Sequence, residues 1–418
     1  MDLSSFEHWM PLGSKCFFST GRRLGMRGEP DRPLSCLFGI LKPSGPTSME
    51  LLDRLKPLLA SSDLFYAPHT PKQAKPSKRL KPWERELLQR CGRLPPKIGQ
   101  GGTLDPLAEG VLVIGIHHGT KQLQQFLHCT KEYETTGLLG TATTSYDCKD
   151  PVMKRAPYAH VTEDMLRAKL HLFRGSVQQL PPLFSALRMD GKRLFEYARE
   201  GLPLPRPIEP RNVTVEELEL VAWLPGASHS YVPPDRELSD DEKVLVSHVR
   251  ELAGSEANGL DTMRSDQNAD KMCTDQAGSN AISHANGSTN TQARAPAADS
   301  KDPINPKNVA APADSENCAD IRNTLLGPPA FSLKMTVSSG TYVRSIVHDL
   351  GTACGSAAHV VKLVRTRQGA FHTGNCIPWS VFERGLEELA APTNAQTVGD
   401  QGLREWERMI LQHMQRCD

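Results

Sequence analysis

The stretch Gly101-Gly102-Thr103-Leu104-Asp105-Pro106-Leu107-Ala108-Glu109-Gly110-Val111-Leu112 places a single carboxylate in a glycine-rich turn that leads into an apolar strand. Glycines allow backbone conformations that a Cβ would forbid, and Pro106 moves the preceding Asp105 toward an extended conformation. The run 111–116 is apolar without alternation, which is typical of a strand covered on both faces. We therefore predict that Asp105 lies in a turn beside a buried strand, either as a catalytic group or as a plain turn former or helix N-cap.

The charge of the chain is unevenly distributed. Its 418 residues carry a formal net charge of +1, but residues 226–330 contain 16 acidic and 9 basic side chains, which leaves 32 acidic and 40 basic ones elsewhere. That segment is rich in small and polar residues, so it cannot bury enough apolar surface to offset the entropy of folding. We predict a basic globular protein that is interrupted at 226–330 by an acidic, disordered insert.

Several classes of protein are excluded by missing sequence features. The ten cysteines show no C-x-x-C pair or metal-ligand spacing, and no apolar run approaches the roughly eighteen residues of a membrane span. The G-x-x-x-x-G-K-[ST], H-E-x-x-H and G-x-S-x-G motifs are also absent. The sequence therefore favours an intracellular protein without a membrane partner, and carbohydrate or nucleotide chemistry that needs neither a metal nor a cofactor.

Periodicity predicts alternating strands and helices on both sides of the insert. Residues 331–338 alternate strictly between apolar and polar, and a helix is expected to begin near Thr341, with Arg344 in its first turn. Pro57 is expected to end or bend the helix that Thr47 or Ser48 caps. We predict an α+β fold with a mixed, largely antiparallel central sheet flanked by helices. Its parts are an N-terminal extension at 1–35, catalytic segments at 36–225 and 331–385, and a helical tail at 386–418.

Two segments have charge patterns that admit two interpretations each. Residues 67–97 contain nine basic and two acidic side chains around Trp83, which fits either a solvated surface or an electrostatic footprint for a polyanion. Residues 8–28 contain four basic side chains and no acidic one, which is typical of a transit peptide, although Asp2 and Glu7 argue against it. We expect a nuclear or cytoplasmic protein, with the mitochondrion as a further candidate compartment.

Taken together, the motifs resemble those of the TruB-type tRNA pseudouridine synthases, particularly the eukaryotic branch that acts on uridine 55 of the T-loop. The resemblance covers roughly 250 residues and six motifs in the family's order, which is very unlikely by chance. The segments that carry it are 41–48, 97–106, 131–133, 185–211, 340–345 and 355–367.

The resemblance implies that Asp105 is the catalytic carboxylate, which breaks the N-glycosidic bond so that the uracil can rotate and rejoin through carbon. Whether the carboxylate attacks the sugar C1′, attacks the base or abstracts a sugar proton is left open. Arg344 is implied as its bidentate cationic partner, which would orient the carboxylate and keep it ionised. Tyr133 is implied as the residue that stacks on the target base, and as a candidate for removing the C5 proton.

Further residues are implied in substrate binding. Leu363 is expected on the other side of the base, whereas Lys42 either supports the site or contacts the RNA backbone. The position of Gln100 is usually histidine in the family, where it fills the space that the extruded base leaves, so its insertion role is in doubt here. The remaining candidates for substrate binding are Gly102, Thr103 and Tyr342.

The resemblance also implies the partners of the protein. We expect the T-arm of tRNA as substrate, mRNA as a further candidate, a monomer, and no cofactor. About 45 residues follow Phe371, too few for a complete C-terminal PUA domain, which favours a stand-alone enzyme without a guide RNA. The alternatives are a non-catalytic protein that binds or folds tRNA, and a guide-RNA complex that modifies ribosomal RNA.

Overall fold

A large mixed sheet forms the centre of the molecule. The computed structural model describes residues 32–70, 79–200, 202–240, 242–243, 327–391 and 402–417. Its strands are β1 Cys36–Lys42, β2 Ile98–Gln100, β3 Glu109–Ile116, β4 Lys131–Leu139, β5 Thr141–Thr143, β6 Val152–Arg155, β7 Gly175–Gln179, β8 Arg188–Met189, β9 Lys192–Arg193, β10 Arg211–Leu224, β11 Ala330–Val337, β12 Ala358–Gln368, β13 Phe371–His372, β14 Ile377–Pro378 and β15 Gln415–Arg416.

Eleven of these strands form one sheet in the order β14-β1-β3-β12-β4-β11-β10-β7, with β2 added to β3, β13 to β12 and β15 to β1. Only the β1–β14 and β3–β12 pairs are parallel among the pairings of the described strands in this sheet. The predicted α+β fold with a mixed, largely antiparallel sheet is therefore confirmed. The β3–β12–β4 order also brings the turn before β3 beside β12, which lies far from it in sequence.

Helices flank this sheet and bury apolar side chains against it. In the first helix, the side chain of Thr47 accepts a hydrogen bond from the backbone N–H of Glu50, and the Glu50 carboxylate accepts from the N–H of Thr47, as in a capping box. The α-helices are Ser48–Ser61, Pro82–Cys91, Gly119–His128, Glu163–Lys169, Leu194–Glu200, Val343–Ala353, Trp379–Ala390 and Glu405–His413, and the 3₁₀ helices are Asp63–Phe65, Leu170–Phe173 and Gly226–Ser228.

The sequence predicted that Pro57 either ends or bends its helix, and the prediction that it ends the helix is wrong. The helix continues to Ser61 with Pro57 inside it. Proline removes one backbone hydrogen bond, but the helix buries an apolar face around it. The fully buried members of that face are Leu51, Leu55, Leu58 and Leu59.

Residues after 225 and residues of the C-terminal tail also contact the rest of the described structure. The backbone N–H of Leu238 donates to the carbonyl of Val152 on β6 at 3.0 Å. Most of the insert predicted at 226–330 lies outside the described residues, at 244–326. In the tail, Trp406 and Ile410 are buried, and β15 joins the central sheet beside β1. Within the described parts of the chain, no helix is both long and apolar enough to cross a membrane.

Candidate active site

The Asp105 turn is fixed by backbone contacts from the segment after β1. The N–H of Gly45 donates to the carbonyl of Pro106 at 2.9 Å, and the Ser48 hydroxyl accepts from the N–H of Leu104 at 3.0 Å. The N–H of Ala108 closes the turn by donating to the carbonyl of Asp105 at 3.1 Å. The Asp105 side chain keeps 42% of its surface exposed. A rigid turn therefore presents one carboxylate to an incoming molecule.

Lys42 stabilises this turn through hydrogen bonds from its buried ammonium group. Its side chain is buried, and Nζ donates to the carbonyls of Pro43 at 2.9 Å, Pro106 at 3.1 Å and Ala108 at 2.7 Å. Burial lowers the pKa of Lys42 to about 8, against the opposing effect of Asp105. Of the two roles that the sequence left open for Lys42, this geometry matches support of the site, because the ammonium already binds three carbonyls within the protein.

Two residues of β12 hold the glycines of the same turn. The guanidinium of Arg365 donates through Nε to the carbonyl of Val111 at 2.7 Å and through Nη2 to that of Gly102 at 3.1 Å. The side-chain amide of Gln368 donates to the carbonyl of Gly101. Gly110 has a φ of +97°, and a Cβ on it would lie 2.2 Å from the Arg365 carbonyl oxygen, so only glycine fits this crossing.

Arg344, which follows the predicted insert in sequence, contacts the Asp105 turn. It lies in the first turn of the helix Val343–Ala353, its side chain is 6% exposed, and its Nε lies 2.9 Å from Oδ2 of Asp105. The other two nitrogens donate to backbone carbonyls, Nη1 to Ser145 and Nη2 to Phe184 at 3.0 Å. The predicted partnership is therefore present, but through one nitrogen and not through a bidentate fork.

Asp147 supplies a second carboxylate that forms an ion pair with Arg344. Its Oδ2 lies 3.7 Å from Nη1 of Arg344, and its Oδ1 accepts from the Ser145 hydroxyl and the Lys149 N–H, both at 3.0 Å. Burial raises the pKa of Asp147, although Arg344 acts in the opposite direction. Burial also opposes the charge of Arg344, but Asp105 and Asp147 together raise its pKa. The guanidinium is thus held as a cation between one exposed and one buried carboxylate.

Two of the aromatic and apolar candidates lie on the paired strands β4 and β12, where Tyr133 is opposite Arg365, the residue that binds the carbonyl of Gly102. Tyr133 on β4 and Leu363 on β12 are 9% and 5% exposed and belong to the same apolar cluster as Leu104 and Leu107, which flank Asp105. Tyr342 immediately precedes the helix that carries Arg344. Its N–H donates to the side chain of Gln179 at 2.7 Å, and its carbonyl accepts from the same amide at 2.9 Å.

The remaining candidates lie at the start of the turn. The side-chain amide of Gln100 donates to the hydroxyl of exposed Thr103 at 3.2 Å and lies 4.0 Å from the sulfur of Met49, which is 51% exposed. Gly102 has a φ of +123°, a conformation that glycine adopts readily. The side chains of Gln100 and Thr103 thus contact each other at the surface of the Asp105 turn.

The groups described at this site that could take part in a reaction are protein side chains and backbone amides and carbonyls. Within the described ranges, no group of three His, Cys, Asp or Glu side chains is arranged to hold a metal ion. The sequence did not identify Asp147, Ser48, Gln179 or Gln368 as parts of the site. No local sequence pattern marked these residues, because each reaches the site through a contact between segments that lie far apart in the sequence.

Comparison with known proteins assigns the chain to a family. The model of "TruB family pseudouridylate synthase (N terminal domain)" matches residues 88–232. The tRNA pseudouridine synthase 4 of Schizosaccharomyces pombe is 39% identical over 372 residues, which cover 87% of this chain and 87% of that protein. The tRNA pseudouridine synthase 4 of Saccharomyces cerevisiae is 33% identical over 347 residues, covering 79% and 76%.

A solved structure, "Crystal Structure of a Cbf5-Nop10-Gar1 Complex", contains a chain that matches with a TM-score of 0.42 and 17% identity. The match covers 92% of the present chain and 60% of the solved one, so this chain spans less than two thirds of that length. The assignment depends on the sequence relatives, because they match most of both chains at much higher identity. The chain belongs to the TruB family of pseudouridylate synthases.

Proposed function

We propose that this protein converts uridine 55 in the T-loop of tRNA into pseudouridine. The observation that carries the proposal is the partly exposed Asp105 carboxylate, which lies 2.9 Å from the buried guanidinium of Arg344 in a turn that several hydrogen bonds fix. Two relatives that match most of the chain, from two yeasts, are named tRNA pseudouridine synthase 4.

The reaction is an isomerisation that conserves every atom. The bond from N1 of uracil to C1′ of the ribose breaks, the base rotates, and a bond forms between C5 and C1′. C5 then loses a proton and N1 gains one. The carboxylate of Asp105 acts in its ionised form, and Arg344 stabilises that form by direct charge pairing.

The target uridine must leave the T-loop to reach Asp105. Extrusion of a base costs stacking and pairing energy, which stacking and hydrogen bonds in the pocket offset. We assign Tyr133 to one face of the base and Leu363 to the other, because Tyr133 is paired with Arg365, which binds the Asp105 turn, and Leu363 lies two residues before Arg365 on β12. We assign Gln100 and Thr103 to contact with the RNA, because their side chains pair at the surface of the same turn.

The basic segment 67–97 is proposed as an additional tRNA contact. Its described part includes the helix Pro82–Cys91, on which Trp83 is 40% exposed with Nζ of Lys56 4.4 Å from the ring centroid. Exposed aromatic rings among cations are typical of surfaces that bind single-stranded or looped RNA. Residues 71–78 of this segment lie outside the described chain.

We further propose that the protein works as a monomer without a guide RNA, that mRNA is an additional substrate, and that it acts in the nucleus or cytoplasm, with the mitochondrion as a further compartment. The names of the two yeast relatives favour a tRNA enzyme over a guide-RNA complex. The basic run at 8–28, outside the described residues, supports the mitochondrial proposal. Co-purification with small guide RNAs would contradict the stand-alone assignment.

The function is tested by mapping pseudouridine in total RNA from cells with and without the intact gene. We expect the modification at position 55 of tRNA to disappear when the gene is removed and to return with the wild-type gene. An unchanged T-loop, together with a tRNA-folding defect that an Asp105→Asn protein rescues fully, would favour a non-catalytic tRNA-binding protein instead.

A further inference from the structure

Two aromatic side chains connect the loop that binds Arg344 to the helix that carries it. The rings of Tyr146 and His348 are stacked, with centroids 3.9 Å apart and planes inclined by 14°. Tyr146 lies between Ser145 and Asp147, both of which contact the guanidinium. His348 lies one helical turn beyond Arg344. The stack therefore spans the two elements whose separation determines where this guanidinium lies.

The backbone at Tyr146 adopts a conformation that a tyrosine rarely takes. Its φ is +65°, in the left-handed region, where glycine and asparagine are far more common than aromatic residues. The loop is anchored to β12 on both sides, because the N–H of Val360 donates to the carbonyl of Tyr146 and the N–H of Cys148 donates to the carbonyl of Val360, both at 2.9 Å. A tyrosine in a position whose backbone suits glycine indicates that the ring itself has a use.

We propose that Tyr146 and His348 are positioning residues, whose stack holds the Ser145–Asp147 loop against the helix and thereby aims the guanidinium of Arg344 at Asp105. This inference rests on the proposed function. Neither ring is assigned a contact with the substrate. Their effect reaches the reaction through the carbonyl of Ser145 and the carboxylate of Asp147, which with Phe184 and Asp105 fix the orientation of the arginine.

The decisive variant is Tyr146→Gly, because glycine removes the aromatic side chain and adopts a φ of +65° without strain. We expect its single-turnover rate of pseudouridine formation, at saturating T-arm RNA, to fall about tenfold, while the Kd for that RNA stays within about twofold. Tyr146→Phe keeps the ring and should retain most of the wild-type rate. His348→Ala should reproduce the loss. A Tyr146→Gly protein with the wild-type rate, or a Tyr146→Phe protein as slow as Tyr146→Gly, would overturn the proposal.

A second measurement separates positioning from general packing. If the ring acts through Asp147, Tyr146→Gly should reduce the single-turnover rate by a smaller factor in an Asp147→Asn background than in the wild-type protein. The reason is that the effects of substitutions are not additive when the residues act through the same contacts. Full additivity of the two losses would overturn the proposal. A wild-type protein that forms no pseudouridine in the same assay would instead refute the proposed function. His348→Ala keeps the proposal testable if the glycine variant does not fold.

Discussion

Replacing Lys42 with methionine tests whether a buried cation holds the Asp105 turn. Nζ of Lys42 binds the carbonyls of Pro43, Pro106 and Ala108, and burial lowers its pKa from 10.5 to about 8. A difference of this size disfavours the charged form by about 3.4 kcal/mol, and solvent screening at the half-exposed turn reduces this to about 2 kcal/mol. At neutral pH, Lys42 of the folded protein stays charged despite this free-energy cost, and its ammonium orders the turn.

The sign of the pH dependence follows from the direction of the pKa change. Between pH 8 and 10.5, an unfolded chain holds a proton on Lys42 that the folded protein has released, so the free energy of unfolding rises with pH. Below pH 8 both states are protonated and the cost is constant. The difference between wild type and Lys42→Met should therefore be flat below pH 8 and increase in favour of wild type by about 2 kcal/mol up to pH 10.5.

Urea denaturation of both proteins across this pH range measures the difference. Taking a difference cancels the buried thiols of Cys36 and Cys376, whose pKa values burial raises to about 12. Lys154→Met, at an exposed lysine of β6, is the matched control and should follow the wild-type curve. At neutral pH, Lys42→Met should also slow pseudouridine formation about a hundredfold through displacement of Asp105. A stability difference that stays flat or falls between pH 8 and 10.5 would refute the reasoning.

Three further changes have defined outcomes. Because burial disfavours the charge of Asp147, Asp147→Asn should leave the free energy of unfolding within about 1 kcal/mol of wild type. The same change should slow single-turnover catalysis at least about tenfold. A catalytic rate equal to wild type would contradict this expectation. Gly110→Ala should destabilise the fold by about 3 kcal/mol or more in urea denaturation, since its Cβ would meet a backbone oxygen at 2.2 Å. The control Gly45→Ala has a φ of +112° but nothing within 4 Å of its Cβ, so equal losses would exclude the steric explanation. Neutralising three basic side chains should weaken tRNA binding and flatten its salt dependence, whereas an unchanged salt slope would identify them as solvated surface. These three are Lys78, which lies outside the described residues, and Arg79 and Lys81.

Local sequence patterns predicted the elements whose apolar spacing is strong. The strict alternation at 331–338 corresponds to β11 at Ala330–Val337, and the unbroken apolar run at 111–116 lies in β3, which is buried along nearly its whole length. Asp190-Gly191, a dipeptide typical of tight turns, joins β8 to β9 with φ values of +48° and +85°. In each case the signal lies within about ten residues of sequence, where backbone preference and burial agree.

Contacts between distant segments were less accessible from the sequence. The pairing of Asp105 with Arg344 was available only through the family resemblance, because 238 residues separate them in the chain. Asp147 was missed, since a buried carboxylate has no local pattern that distinguishes it from a turn residue. The helix that passes through Pro57 and the tail strand that joins β1 also depend on tertiary burial, which outweighs local preference.

The central claim is that Asp105 is the catalytic carboxylate of a tRNA pseudouridine synthase. Its most direct test compares pseudouridine formation by purified wild-type and Asp105→Asn proteins on a tRNA transcript that carries uridine at position 55, with tRNA binding measured in parallel. We predict that the variant forms no pseudouridine and binds tRNA nearly as well as wild type. Pseudouridine formation by the variant at the wild-type rate would contradict the account.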